Sequence, residues 1–265
     1  MLNHSQYSSS KKYEARIYLS RQFKTNPKSK YEWIFEHFPK DENLKILELG
    51  CGTGLFWLAN RNNILKSWSI ILSDYSEGML ETTRYNLSLL NYNFQYEIVN
   101  AENIPYNDNT FDIILANNML YHIQDRDSAI KNISRILKSD GIFIASTMGR
   151  NDLFELHNCL YTFLESKKNG FQFREFSFSL NNGMEQLLRH FKSVLLERYE
   201  NKLIINEIDA IVNYYLSFNG IYNDLVVLPE KYINSFKMYL QNILDKDKAI
   251  TTTKDEGIFI CKKQK

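Results

Sequence analysis

The sequence predicts an α/β fold built on a doubly wound, seven-stranded, mostly parallel sheet with helical insertions, and three observations carry that prediction. From residue 44 onward, short apolar runs alternate with segments whose apolar residues recur at helical spacing. Three glycines in five positions, Gly50, Gly52 and Gly54, follow the first run, where a strand must turn into a helix. The chain has 265 residues, 44% of them hydrophobic, enough to bury a sizeable core.

The elements follow in order. Residues 1–10 are expected to be disordered. Tyr13, Ile17 and Leu19 predict a helix over 12–23, ended by "KTNPKSK"; "YEWIFEHF" (31–38) is a second helix, stopped by Pro39. "LKILEL" (44–49) is the first strand, and a helix is expected from Leu55 to Lys66. "WSIILSD" (68–74), "FQYEIVN" (94–100), "FDIILANN" (111–118) and "GIFIAST" (141–147) are strands two to five, the last entered through an Asp140–Gly141 turn. Helices over 76–90 and 126–138 connect them. Beyond residue 150 the rhythm breaks. A helix over 152–168 and an aromatic stretch precede the helix "NGMEQLLRHF" and a sixth strand over 193–200. Two helices between 206 and 247 then lead to a final strand over 257–263.

The expected organisation is an N-terminal helical lid (1–40), a ligand-binding half of the core (41–148) and a helical, aromatic insertion (149–180). A core helix and strand (181–204), a second helical insertion (205–248) and the final strand (249–265) complete it. Ligands of open α/β sheets bind beyond the carboxyl ends of the strands, and both insertions leave from such ends, so they are expected to cover the site.

Composition excludes several classes. A net charge of +1 argues against a protein held mainly by phosphate backbones. Cys51, Cys159 and Cys261 are odd in number and widely spaced, so neither a disulfide framework nor a structural zinc site is expected, and no metal is assigned. No apolar segment resembles a signal peptide or a spanning helix; the expectation is a cytoplasmic protein without a membrane partner.

The chemistry concentrates around "ILELGCGTGLFW". A strand, a glycine turn and a helix start can set backbone N–H groups against a ligand. On its own this leaves dinucleotides and other nucleoside cofactors open. The full pattern here is E-x-G-x-G-x-G, with Glu48 two residues before the first glycine. Together with Asp74 ending strand two, "NAENIPY" (100–106) ending strand three and "FDIILANNMLYHI" (111–123), it resembles the class I S-adenosylmethionine-dependent methyltransferases. The resemblance covers about residues 44–147 and departs from the family pattern at Asn100, where an Asp is usual.

The resemblance implies the class I methyltransferase fold, S-adenosyl-L-methionine as cofactor and S-adenosyl-L-homocysteine as product. Backbone N–H groups at Gly50, Cys51 and Gly52 would meet the cofactor's amino-acid end. Asp74 would accept from the ribose hydroxyls, and Tyr75 would stack on the adenine. Asn100, Ala101 and Glu102 would border the base, and Asn117 the methionine arm. Glu48 would orient the loop or reach the cofactor's ammonium. A nicotinamide-binding enzyme would instead show G-x-G-x-x-G. No Asn/Asp-Pro-Pro-aromatic stretch or Pro-Cys follows strand four, so nucleic-acid methylation is disfavoured and a small-molecule acceptor expected.

Transfer from a sulfonium needs alignment and exclusion of water, plus a base where the acceptor is a hydroxyl or ammonium. His122 is the candidate base, with Tyr121 beside it; the alternative is that both only shape the pocket wall. His190 reads as structural, and His157 belongs to the first insertion. Arg16 and Tyr13 are weaker candidates for the cofactor's carboxylate. Phe171, Phe173, Phe176 and Phe178 are expected to pack on the insertion's own helix. Other readings are methylation of RNA or of a carrier-bound acyl group, and a non-catalytic S-adenosylmethionine-binding regulatory protein.

Overall fold

In the computed structural model of the chain, residues 10–168, 176–220 and 226–263 are described. The strands are β1 (Lys45–Leu49), β2 (Ser69–Asp74), β3 (Gln95–Ile98), β4 (Phe111–Asn117), β5 (Leu137–Met148), β6 (Ser193–Ile205) and β7 (Ile250–Lys262). They form one sheet in the order β3-β2-β1-β4-β5-β7-β6. β1 to β5 pair in parallel, and β7 joins β5 antiparallel. The order reverses direction between β1 and β4, the place where an open α/β sheet leaves a crevice at its carboxyl edge.

Two compact units divide the chain. The sheet unit comprises Lys28–Arg150, Phe176–Tyr199 and Glu256–Lys265. Successive residues such as Ile46 and Leu47 are both fully buried because each face of the sheet is covered, which is why its strands read as unbroken apolar runs. On one face, α2 (Lys30–Phe35), α3 (Leu55–Ala59) and α4 (Glu77–Leu87) contribute Ile34, Trp57 and Leu80 to a core with Ile46, Ile70 and Ile113. On the other, α5 (Arg126–Ile136) and α7 (Gly183–Leu188) set Ile130, Ile133 and Leu187 against Leu47, Ile114 and Phe143.

The helical unit comprises Met1–Pro27, Asn151–Glu175 and Glu200–Asp255. Its helices are α1 (Ser10–Gln22), α6 (Phe154–Ser166), α8 (Ile208–Leu216) and α9 (Ile233–Asp247). They enclose a separate core of Leu19, Leu156, Phe163, Ile211, Tyr215 and Phe236, to which Leu203 of β6 and Ile250 of β7 belong.

Several expectations change. The helix predicted to reach Lys66 ends at Ala59. Buried Asn60 turns its amide back onto the carbonyls of Phe56 (2.8 Å) and Tyr31 (3.2 Å), competing with the next helical turn. β6 and β7 are longer than predicted. In the first half of β7, residues 250–256, the buried positions are Ile250, Thr252, Lys254 and Glu256, an alternation that apolarity alone does not show. Its two buried charges are paired, Lys254 with Asp152 at 2.8 Å and Glu256 with Lys30 at 2.6 Å. The expected turn at Gly141 lies inside β5 instead, where the register against β4 shifts and an added Cβ would stand 2.9 Å from the Asp112 carbonyl oxygen. Residues 1–40 do not act as one element: α1 packs in the helical unit and α2 in the sheet unit. Phe178 is buried in the sheet core against Phe259 rather than on the insertion's helix. Residues 1–9, Phe171, Phe173 and the Tyr13 side chain lie outside the described residues.

Candidate functional site

The cofactor-binding candidates, with Tyr121 and His122, gather along the carboxyl ends of β1 to β4, all within the sheet unit. After β1 the three glycines hold positive φ values of 68°, 57° and 74°, which favour residues without a side chain. Their surroundings differ. A Cβ on Gly50 would stand 2.9 Å from Met119 Cβ, and one on Gly54 would stand 2.9 Å from Thr83 Cγ2. A Cβ on Gly52 would meet nothing within 4 Å. Gly50 and Gly54 therefore serve packing, while Gly52 fronts open space.

The loop's amides are not arranged as expected. Cys51 N–H donates to Ser73 O and Gly52 N–H to Asp74 Oδ2, both at 2.9 Å, so these two groups hold the loop against β2. The Cys51 side chain is buried, and burial pushes its thiol well above the usual range.

Asp74 ends β2 and joins two parts of the site. One carboxylate oxygen takes the Gly52 N–H, and the other takes the Ser76 N–H at 2.9 Å. Burial pushes its carboxyl pKa up, partly offset by these backbone donors. Each oxygen retains acceptor capacity for a hydroxyl. Tyr75, next in sequence, is half-exposed.

Glu48 is 1% exposed, and its side chain points inward. Trp57 Nε1–H donates to Oε2 at 2.6 Å and Asn117 Nδ2 to Oε1 at 3.0 Å. Asn117 Oδ1 in turn accepts from Ser146 Oγ at 3.0 Å, which fixes the orientation of the amide. The chain Trp57–Glu48–Asn117–Ser146 thus ties α3 to the ends of β1, β4 and β5. Burial raises the Glu48 pKa to about 7 against the opposing effect of the two donors, and the Asp74 charge adds to the rise. Glu48 is therefore a brace for Asn117 and the loop. Trp57, fully buried in the sheet core, thus serves packing and also carries a hydrogen bond that only its position nine residues after an acid hints at in the sequence.

Beyond β3, Asn100 is exposed and its Oδ1 accepts the Glu102 N–H at 2.9 Å, while Ala101 is buried. Glu102 Oε1 accepts from the N–H groups of Gln124 (3.0 Å) and Asp125 (3.1 Å), bracing the start of α5. Beyond β4, a short 3-10 turn, Leu120–His122, carries Tyr121 and His122, whose rings pack 4.4 Å apart. Phe176 also packs on Tyr121, at 5.1 Å.

The remaining candidates are engaged elsewhere. His190 meets Asp127 at 3.0 Å. His157 is in the helical unit against the Tyr215 hydroxyl, its pKa lowered to about 3 by burial and by the Lys254 charge. Arg16 also lies in that unit, beside the Ser217 carbonyl and over the Phe218 ring. A cavity of about 250 Å³ lined by Arg61, Lys66, Leu89 and Tyr92 lies at the loops after α3 and α4, at the opposite ends of the strands. Among the described residues no cluster of three or more His, Cys, Asp or Glu could hold a metal, and no helix is long and apolar enough to cross a membrane.

A family model described as a methyltransferase domain matches residues 40–175, half of the chain. The ubiquinone/menaquinone biosynthesis C-methyltransferase UbiE of Haemophilus ducreyi is 32% identical over 121 residues, 45% of this chain and 46% of that protein. The human mitochondrial arginine-hydroxylase NDUFAF5 is 30% identical over 146 residues, 54% of this chain and 39% of that protein. The chain thus spans less than half the length of both curated relatives. The crystal structure of the YcgJ protein from Bacillus subtilis superposes with a TM-score of 0.59 at 16% identity, covering 89% of this chain and 98% of that one, and so shares the fold.

Proposed function

The chain belongs to the methyltransferase-domain family, and on that premise we propose that it is an S-adenosylmethionine-dependent methyltransferase acting on O, N or C of a small-molecule acceptor. The observation that carries the reading is the junction of Asp74 with Gly52: a partly buried carboxylate with spare acceptor capacity stands 2.9 Å from a loop amide whose glycine faces open space. These residues fit the cofactor. Asp74 would take the ribose hydroxyls, half-exposed Tyr75 the adenine face, and the loop the methionine end. Bound there, S-adenosylmethionine would supply an electrophilic methyl group on a sulfonium.

The protein's own share is alignment and water exclusion. Buried Glu48 holds Asn117 at the end of β4, and Glu102 braces the turn that leads from His122 into α5. For a hydroxyl or ammonium acceptor, His122 would remove the proton, with Tyr121 and Phe176 shaping the adjacent wall.

Likeness over half a chain to both a C-methyltransferase and an arginine hydroxylase makes methyl transfer itself the deciding measurement. Calorimetry with S-adenosylmethionine comes first, followed by transfer of a labelled methyl group to a panel of small hydroxyl, amine and activated-carbon acceptors. No heat and no label transfer would overturn the proposal.

A further inference from the structure

Helix α4 grips the glycine loop through side chains outside the glycine pattern. Thr83 and Asn86, three residues apart, share one face of the helix, and Thr83 is fully buried. Thr83 Oγ1 donates to the Gly52 carbonyl at 2.7 Å, and Asn86 Nδ2 donates to the Thr53 carbonyl at 2.9 Å. The Cys51 sulfur lies 3.7 Å from Thr83 Oγ1. Since the single hydroxyl proton goes to Gly52, the thiol is the donor in that contact. The close approach at Gly54 leaves no room for a side chain between loop and helix.

Two successive carbonyls therefore face α4. In a trans peptide the C=O and the following N–H point in opposite directions, so the Thr53 and Gly54 N–H groups are turned away from the helix, and the Gly54 N–H donates to the Cys51 carbonyl at 3.0 Å within the loop. Among the described residues the Thr53 N–H has no hydrogen-bond partner. It belongs to the peptide that follows Gly52, the glycine that fronts open space. Rotation of that peptide about its long axis changes Gly52 ψ and Thr53 φ; glycine resists little on its side, and the bond from Thr83 to the Gly52 carbonyl opposes the turn. A rotated peptide would present an oxygen where an N–H now stands, and an oxygen repels an anion.

We propose that Thr83 and Asn86 are positioning residues that fix the polarity of the glycine loop, so that it offers the Thr53 N–H to the carboxylate of an α-amino-acid moiety. The inference rests on the proposed function and adds to it which residues outside the glycine pattern make the loop receptive.

The test compares two probes by calorimetry: S-adenosylhomocysteine, which carries the carboxylate, and 5′-methylthioadenosine, which keeps the nucleoside and sulfur but lacks the amino-acid end. Thr83→Val is expected to weaken S-adenosylhomocysteine about tenfold, the worth of one hydrogen bond to a charged group, and to leave 5′-methylthioadenosine within about twofold. Thr83→Ser, which keeps the hydroxyl, is expected to bind both like wild type. Asn86→Ala, at a half-buried position, is expected to show the same selectivity at about threefold, and it carries the test if Thr83→Val does not fold. Equal losses for both probes, or no loss for either, would overturn the clamp while the function stands. Wild-type protein that binds neither probe would take the function down as well, and the inference with it.

Discussion

Burial of Glu48 makes a prediction about stability that can be worked out from the structure. A free glutamate titrates near 4.5, and in this fold burial raises Glu48 to about 7. Between those values the folded protein carries a proton that the unfolded chain has lost, so stability falls as pH rises. The rise of about 2.5 pH units corresponds to about 3 kcal/mol, complete a little above pH 7. The stabilising contribution is fully present below about pH 4.5 and lost through about pH 7. Glu48→Gln removes the titration. Its amide sets a donor against Trp57 or Asn117, which already donate to this side chain, and that cost is constant with pH. Urea unfolding of both proteins from pH 4.5 to 8 isolates the effect. The difference, wild type minus variant, is expected to fall by about 3 kcal/mol across that range. A flat difference would refute the buried, protonatable Glu48 described above.

Three further outcomes follow from the site. Asp74→Ala removes the acceptor of the Gly52 and Ser76 amides and the proposed ribose partner, so S-adenosylmethionine affinity by calorimetry should drop roughly 10- to 100-fold; unchanged affinity would displace the site. Gly50→Ala and Gly52→Ala separate packing from binding. Both incur the strain of positive φ, about 1–2 kcal/mol, but only the first also clashes, with Met119, so thermal melts should show the larger loss for Gly50→Ala and calorimetry the larger loss of affinity per kcal/mol of stability for Gly52→Ala. His122→Phe should lower kcat about 100-fold with a hydroxyl acceptor and flatten the acidic limb of its pH profile, because a base works only when unprotonated; a limb that survives would leave His122 as part of the pocket wall.

The sheet was legible because its strands are buried on both faces and so carry continuous apolar runs, a signal that needs no tertiary context. The same holds for the glycine loop and for Asp74, whose spacing along the chain is dictated by where parallel strands end. Polar and charged side chains were harder to place, since their roles depend on partners far away in sequence. Nothing local indicates that Glu48 pairs with Asn117, 69 residues on, or that Thr83 reaches back 31 residues to Gly52. The full length of β7 was hidden for a related reason: Lys254 and Glu256 occupy inward positions only because Asp152 and Lys30 neutralise them there.

By itself, then, the order of residues determined the strand sequence, the loop that turns at β1 and the acid that faces it. Tertiary structure decided which of three glycines fronts open space and which two merely pack, because only the folded neighbours say where a Cβ would go. It also decided that α1, α6, α8 and α9, scattered over three segments of the chain, share one apolar core. Hydrophobic burial is non-directional, and amphipathic helices do not encode in their own sequence which partners will cover them.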